Sequence, residues 1–446
     1  MPRIPPSHLR EVAANSTNLR ILLPAVRALV FARTELRWIQ DEVRSRRLRR
    51  CQRYNQKIND SGDNSSGRPK GFLLKNALDV CGSIYNSAAD APAVRRLCRR
   101  RGRGEPLQYV LGNQPFGPLE ILCKRGVLIP RQETEAYTYH LASIILKCLP
   151  DILDLSSHQR GLFSGSKHCH HPLPLRILDL CTGTGCIPLL LAHLLLSGSS
   201  SSSPLNVEVA GIDISALAVS LARKNYTHNK AFFLPYTTST SSLPHPPPPM
   251  SQHALFKFEK FDIFSSDLSC FLSTLFKRCD GVAAQRISFS TSSSIKIDIL
   301  TANPPYISRS NFWRTTARSV RGWEPELALV PQAEAWIDDI SKAKRTEDIF
   351  YERIISLVRD EVVNPLVILL EVGDMEQAIR VAKIMLDEIE DRKIREIEIW
   401  RDFPNANKLD KREKAVLVAT RKGEMMVDVQ GVGHGRAVYL RLNDCV

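Results

Sequence analysis

Asn303-Pro304-Pro305-Tyr306 follows an apolar run, Ile295–Ala302, that reads as a buried β-strand. Two prolines stop that strand and fix the backbone, so the Asn303 carboxamide and the neighbouring carbonyls point out of the sheet edge. There an amide oxygen and a backbone carbonyl can together accept both hydrogens of a planar NH₂ group. That arrangement aims the nitrogen lone pair at a sulfonium methyl without a strong base. The bland alternative is a rigid turn that only terminates a strand.

A second candidate is Ile177-Leu-Asp-Leu-Cys-Thr-Gly-Thr-Gly-Cys-Ile187, an apolar strand that runs through a glycine turn into a helix. Glycines at 183 and 185 let the backbone approach a ligand closely, and Asp179 at the strand end can orient a cationic or polar group. Downstream, the strand Val207–Ile212 ends in Asp213, where an acid can hydrogen-bond ribose hydroxyls; alone, it could equally be a helix N-cap. Gly185 and Asp213 are 28 residues apart, against the usual spacing of about 20, and a serine-rich insert at Ser197–Ser203 accounts for the excess. The run His168-Cys-His-His171 matches no zinc spacing, and adjacent side chains diverge, so no metal site is expected.

The elements that must position these residues can be read from periodicity. Asn18–Arg53 is helical, with Leu22, Val26, Leu29, Val30, Leu36, Ile39 and Val43 on the apolar face, and a weaker helical pattern covers Gly71–Cys98. Asp60–Gly67 reads as a turn or insert. Turn signals at Asn113–Pro118 and Lys124–Gly126 flank the apolar Leu119–Cys123, which suggests a hairpin, and Glu133–Leu149 reads as a helix. Beyond it come short strands at Arg176–Leu180, Val207–Asp213, Phe256–Asp262, Ile295–Ala302, Leu366–Val372, Arg395–Trp400 and Ala415–Thr420, alternating with helices. That alternation implies a mainly parallel sheet covered by helices. Low-complexity inserts near 197–204, 236–253 and 281–294 enlarge loops outside the core.

At 446 residues, 43% hydrophobic and 24% charged, the chain has a globular composition and exceeds one ordinary domain. The longest apolar run, Ile187–Leu196, is too short to span a bilayer and reads as a buried helix. Eleven scattered cysteines, with no Cys-x-x-Cys pair, fit a reducing compartment. Residues 1–103 hold 22 Lys and Arg against 8 Asp and Glu, which equals the whole formal charge of +14; the rest holds 39 of each. A basic appendage on a neutral body suggests an acidic or polyanionic partner, or a solvated helix face.

With its Leu178–Ile187 loop and Asn-Pro-Pro-Tyr, the sequence resembles the HemK/PrmC family of peptide-chain release factor glutamine methyltransferases, of fungal mitochondrial type. Glu105-Pro-Leu-Gln-Tyr-Val-Leu-Gly112, Val127-Leu-Ile-Pro-Arg-Gln-Glu-Thr-Glu135, Trp323-Glu-Pro-Glu-Leu-Ala-Leu329, Leu369-Leu-Glu-Val-Gly373 and Ala32-Arg-Thr-Glu-Leu-Arg-Trp38 are similar to that family's segments as well. The resemblance implies an α/β fold: a Rossmann-like S-adenosylmethionine-dependent methyltransferase sheet over 136–446. A helical substrate-docking domain over 1–104 and a β-hairpin linker over 105–135 would precede it. It further implies that Asp179, Cys181, Thr182, Gly183, Thr184, Gly185, Asp213, Asp262, Ile263 and Asn303 contact S-adenosylmethionine. Asn303, Pro304, Pro305 and Tyr306 would hold the substrate glutamine. Cys181 departs from the usual first glycine, and Ile263 from the usual aromatic residue, whose stacking role Phe264 could take.

The implied reaction is methyl transfer to the glutamine of the Gly-Gly-Gln motif in a class I release factor, by in-line displacement with positioning as the main catalytic device. No membrane association and no stable nucleic-acid binding are expected. The implied location is mitochondrial, with the cytoplasm as the alternative. Two other readings use the same residues: an adenine-amine methyltransferase acting on DNA or RNA, which would need a base-flipping cleft, and a non-catalytic adaptor that keeps the fold.

Overall fold

The computed structural model describes residues 4–60, 87–159, 174–199, 205–233, 254–276, 295–332, 345–406 and 414–443. The His168–His171 run and most of the low-complexity inserts lie outside them. The chain divides into two compact units, Met1–Asn113 and Gln114–Val446.

The first unit is helical: α1 (Pro6–Asn15), α2 (Thr17–Val26), α3 (Leu29–Asp60), α4 (Ser87–Gly102) and the short α5 (Leu107–Leu111). Periodicity predicts one helix from Asn18 to Arg53, but Arg27 takes a left-handed φ of 67° and ends α2, so the helical phase restarts at Leu29. Leu22, Leu29, Ile39 and Val43 fill the core with Val94, Leu97 and Val110, whereas Val30, expected inside, is 71% exposed after that restart. Several of its acids are engaged in ion pairs: Arg46 and Arg49 with Glu42, Arg47 with Asp90, Arg101 with Glu35, and Arg100 with Glu105. On α4, Arg95, Arg99 and the following Arg103 are exposed at i, i+4 and i+8, with no carboxylate partner among the described residues.

The second unit opens with a hairpin, β1 (Asn113–Phe116) and β2 (Leu119–Leu122). The helices α6 (Gln132–Lys147) and α7 (Leu149–Gln159) follow. Then β3 (Leu175–Leu180), α8 (Cys186–Gly198), β4 (Val207–Asp213), α9 (Ala216–His228), β5 (Ala254–Lys260) and α10 (Leu268–Leu275) alternate. The expected strand Ile295–Ala302 is split in two: β6 (Ile295–Lys296) pairs with β8 (Val363–Asn364), and only β7 (Ile299–Ala302) joins the main sheet. Between the halves, the buried Asp298 carboxylate accepts from the Arg176 amide of β3 at 2.6 Å. The remaining elements are α11 (Arg309–Arg314), α12 (Arg318–Trp323), α13 (Ile349–Arg359), β9 (Val367–Glu371), α14 (Met375–Glu388), β10 (Ile394–Phe403), β11 (Ala415–Thr420), β12 (Gly423–Gln430) and β13 (Val432–Leu442).

The main sheet has nine strands in the order β11-β12-β10-β13-β9-β7-β3-β4-β5. From β9 to β5 all pairing is parallel. The other half is mixed, because β13 runs antiparallel to both β9 and β10. The "mainly parallel" expectation therefore holds for one half of the sheet. Strand side chains alternate between its faces. Leu178, Leu180, Ala210, Ile212, Leu300, Ile368 and Leu370 pack with α10, α13 and α14 on one side. Ile177, Val207, Val209, Ile299, Val367 and Leu369 pack with α6, α8 and α9 on the other. Strands buried on both faces must be apolar throughout, and it is this that makes them legible. α8 lies inside the second layer with Leu189, Leu190, Leu191 and Leu195 fully buried, as the Ile187–Leu196 run implies. No helix among the described residues is long and apolar enough to cross a membrane.

Gly211 on β4 sits where two side chains cross the strand. A Cβ there would lie 2.6 Å from the Phe258 ring and 2.7 Å from Thr182 Oγ1. Gly211→Ala is expected to destabilise the protein by about 1–3 kcal/mol through overpacking. The reading is a lower urea midpoint at unchanged m-value; an unchanged midpoint would show that Phe258 gives way at no cost.

Candidate active site

β3 is the strand at which the chain changes direction across the sheet. From β3 it proceeds to β4 and β5 on one side, then returns to β7 and β9 on the other. The registers Leu180↔Ile212, Leu180↔Ala302 and Ala302↔Leu370 bring the carboxyl ends of these strands level. Connections leaving β3 and β7 must diverge there, which opens a crevice at the strand ends, the general ligand position of open α/β sheets. The Cys181–Gly185 loop and Asn303–Tyr306 leave from those two ends, so the topology itself brings the two motifs together.

In the first loop Gly183 and Gly185 take φ values of 56° and 76°, and Gly185 caps α8. A side chain at Gly185 would press on Ala222 and Phe258 at 3.2 Å, whereas one at Gly183 would meet only the Cys181 carbonyl at 4.0 Å. Gly185 therefore serves helix packing, and Gly183 leaves open space over the cleft. Asp213 spans the loop and its own strand end: its carboxylate accepts from the Gly183 amide at 2.9 Å and the Ser215 amide at 2.8 Å. The cap of α9 is Ser215 instead, whose hydroxyl accepts from the Ala218 amide. Cys181 adopts a left-handed φ of 58°, a conformation that costs a non-glycine residue about 1–2 kcal/mol. Burial, then the charges of Asp213, Asp179 and Asp262, push its thiol pKa far up.

Cys181, Thr182, Gly183, Thr184, Asp213, Asp262, Ile263, Asn303 and Pro305 line one cleft. Asp179, Gly185, Pro304 and Tyr306 lie behind its wall. Asp179 accepts from Thr301 Oγ1 at 2.6 Å, while its Oδ2, buried, has no hydrogen-bond partner, nor has Thr182 Oγ1 above the strand. Burial pushes the Asp179 carboxyl up to about 7, and nearby Asp213 adds to the shift.

At the far end Asp262 accepts from the Phe264 amide at 3.0 Å, and Ile263 faces the cleft. Phe264 does not: it lies off the cleft, edge-on to Phe350 at 5.1 Å. The aromatic rings on the wall are Phe261 and Phe350. Neither stands out in the sequence, because Phe350 belongs to a helix far along the chain and only the fold delivers it here.

Behind the second motif, the Tyr306 hydroxyl donates to Glu371 Oε1 at 3.1 Å, and Gln377 Nε2 donates to the Tyr306 carbonyl at 3.3 Å. Gly373 lies so close that a Cβ there would come 3.2 Å from the Tyr306 ring. Past Tyr306 the chain makes an excursion through α11 and α12 and returns to the wall at Pro325, Leu327 and Ala328. Glu324 pins that return to residues 195 positions earlier: it accepts from the Ile129 amide at 3.0 Å and from Arg131 at 2.8 Å. The Val127–Glu135 and Trp323–Leu329 segments are thus partners across one buried carboxylate, and both supply cleft wall. The excursion is locally basic. Arg309, Arg314 and Arg318 are exposed without a carboxylate partner among the described residues, and Arg321 stacks 5.5 Å over the exposed Trp313. The even charge of residues 104–446 averages over this rim.

Known proteins place the chain. It is 28% identical over 353 residues to the "Mitochondrial MRF1 N(5)-glutamine methyltransferase MTQ1" of Saccharomyces cerevisiae, covering 79% of this chain and 76% of that protein. It is 27% identical over 340 residues to the "Probable MRF1 mitochondrial N(5)-glutamine methyltransferase mtq1" of Schizosaccharomyces pombe, 74% and 80% of the two. A "Release factor glutamine methyltransferase" of Chlorobaculum tepidum is 29% identical over 238 residues, 53% and 57%. No family model matches. Among solved structures, the hMettl16 catalytic domain in complex with MAT2A 3′UTR hairpin 1 covers 78% of this chain and 82% of its own at 13% identity, with a TM-score of only 0.34.

Fold and site together define a Rossmann-like methyltransferase that uses S-adenosylmethionine. Within that class the chain is similar to the fungal mitochondrial and bacterial release factor glutamine methyltransferases. The residues present fit the cofactor, which carries a positive charge: a carboxylate oxygen without a partner, open space over Gly183, and acids at Asp213 and Asp262.

The Asp179 carboxyl links stability to pH. Its folded pKa of about 7 lies above the ordinary aspartate value of 3.8, so the folded state holds the proton more tightly. Stability from this group is full below about pH 4 and falls as pH rises to about 7. Asp179→Asn should therefore raise the melting temperature increasingly between pH 4.5 and 7.5, with no further gain above. A gain independent of pH would show that Asp179 is ionised throughout.

Proposed function

We propose that the protein transfers a methyl group from S-adenosylmethionine to the side-chain amide nitrogen of the glutamine in the Gly-Gly-Gln motif of a class I release factor, in mitochondria. The observation that carries this reading is Asn303 on the wall of the cofactor cleft, at the carboxyl end of β7 and next to the Gly183 loop. The similarity to fungal proteins named as mitochondrial glutamine methyltransferases supplies the acceptor and the compartment.

The cofactor supplies a sulfonium methyl and departs as S-adenosylhomocysteine. Asn303 Oδ1 and the Pro304 carbonyl accept the two amide hydrogens and so turn the nitrogen lone pair towards the methyl carbon. A carbon–nitrogen bond forms as the carbon–sulfur bond breaks, and the nitrogen then loses one proton to solvent. The Asp213 bridge holds the Gly183 loop, and Asp262 and Ile263, on the same cleft wall, would contact the nucleoside of the bound cofactor. Most of the rate enhancement then comes from position, since a well-oriented pair of reactants can gain about 7–11 kcal/mol over free encounter.

Residues 1–104 are the docking domain in this reading. Glu35, Glu42 and Asp90 are engaged internally, which leaves Arg95 and Arg99 on α4 and the following Arg103 as a cationic stripe. A second reading, methylation of an adenine amine, has one observation in its favour: the Trp313 and arginine excursion beside Asn303–Tyr306, since exposed aromatic and basic side chains also serve nucleic acids.

Labelled cofactor decides between them. Label should enter a release factor with an intact Gly-Gly-Gln tip and vanish when that Gln becomes Glu, which has no amide hydrogens to offer. Asn303→Ala should cut turnover at least about a hundredfold with cofactor affinity within about threefold. Equal labelling of the Gln and Glu proteins, or efficient labelling of adenine in RNA or DNA, would overturn the glutamine assignment. For the docking domain, reversing Arg95, Arg99 and Arg103 to Glu should raise KM for the release factor at least about tenfold at low salt and leave kcat near normal. An unchanged KM would remove that stripe from the docking surface.

A further inference from the structure

Glu371 ends β9 with its side chain 2% exposed, and three hydroxyl groups converge on it. Thr134 Oγ1 and Tyr137 Oη donate to Oε2, each at 2.7 Å, from the first turns of α6. Tyr306 Oη donates to Oε1 at 3.1 Å. The Tyr351 hydroxyl fixes the backbone from below by donating to the Glu371 carbonyl at 2.7 Å. A buried carboxylate is a costly way to fill space, and an apolar residue of similar size would pack there at less expense. What only the carboxylate offers is acceptance of several donors at once, one oxygen facing the scaffold helix and the other facing the acceptor motif.

We propose that Glu371 is a positioning residue for methyl transfer: through Tyr306 it fixes the Asn303–Tyr306 backbone against α6, and so sets where the acceptor amide is held. The inference rests on the reading of Asn303–Tyr306 as the acceptor clamp. The two oxygens divide the work. Tyr306 is held in three ways: by Oε1, by the close approach of Gly373, and by Gln377 at its carbonyl. Of these, the Oε1 bond alone fixes the phenol tip. Arg436 lies near enough for its charge to favour the ionised carboxylate, against burial, which raises the Glu371 pKa. Glu371 does not itself line the cleft; its Oε2 holds Thr134 on the wall and its Oε1 holds Tyr306 of the acceptor motif.

Two measurements test this. The first needs no acceptor: hydrogen exchange of the peptide covering Asn303–Ile307. Glu371→Gln and Tyr306→Phe should each speed that exchange at least about tenfold, whereas Tyr137→Phe, which removes a bond on Oε2 only, should not. The second is steady-state methylation of the release factor. Glu371→Gln and Tyr306→Phe should each lower kcat at least about tenfold with cofactor affinity within about threefold, and the double variant should lose no more than either single one. Unchanged exchange in both variants, normal kcat in Tyr306→Phe, or additive losses in the double variant would each overturn the proposal. If Glu371→Gln does not fold, Tyr306→Phe alone decides, since it removes the same bond and leaves the carboxylate in place. A wild-type protein that labels no release factor would defeat the glutamine assignment, and the exchange rates would still show whether Glu371 holds the Asn303–Tyr306 backbone.

Discussion

The site depends on one constraint: the order in which the chain adds parallel strands reverses at β3, with β4 and β5 on one side and β7 and β9 on the other. A strand so placed cannot hand the chain to both neighbours in one direction. The connections from β3 and β7 therefore leave the sheet on diverging courses, and the gap between them is the cleft. Everything else refines that gap. Asp213 closes one side by tying the Gly183 amide to its own strand end, and Glu324 closes another by tying Ile129 and Arg131 to the chain returning from α12.

Electrostatics then select the ligand. Among the described residues lining the cleft, Arg131 is the only cation, and Glu324 already holds it. Asp213 and Asp262 line the same wall, and Asp179 stands behind it with one oxygen unpaired. Such a cleft repels an anionic nucleotide and receives a nucleoside that carries positive charge. Burial, with a smaller addition from the neighbouring Asp213 charge, raises the Asp179 carboxyl pKa.

Much of this is legible in the residues. β3, β4 and β9 are buried on both faces, so their apolar runs read directly, and the Asp213 and Asn303 motifs mark the ends of their strands. What cannot be read is of two kinds. β12, β13 and the turn between them carry Gly423, Gly431, Gly433 and Gly435 and several exposed side chains, a pattern of turns by local criteria; only tertiary packing shows that Gly433 and Gly435 lie against Asp402 and Met375. Long-range partners are the other kind. Glu324 and Glu371 stand inside segments that the family resemblance marks, yet nothing in the sequence says that one meets Ile129 or that the other meets Tyr137 and Tyr306. The swap of Phe264 for Phe261 and Phe350 at the cleft is of this kind too, since adjacency in the chain does not settle which ring faces a cavity.

β13 is inserted between β9 and β10, antiparallel to both, well inside the sheet. A chain interrupted before Val432 would therefore lose an interior strand and not a tail. Two hydrogen-bonding ladders would stand open and face each other, one of them on the buried apolar β9, and such edges recruit other chains. Late nonsense or frameshift mutations should then act by aggregation and degradation even though every residue of the cleft is still encoded. A late-truncation allele would consequently behave as a null at the level of protein abundance.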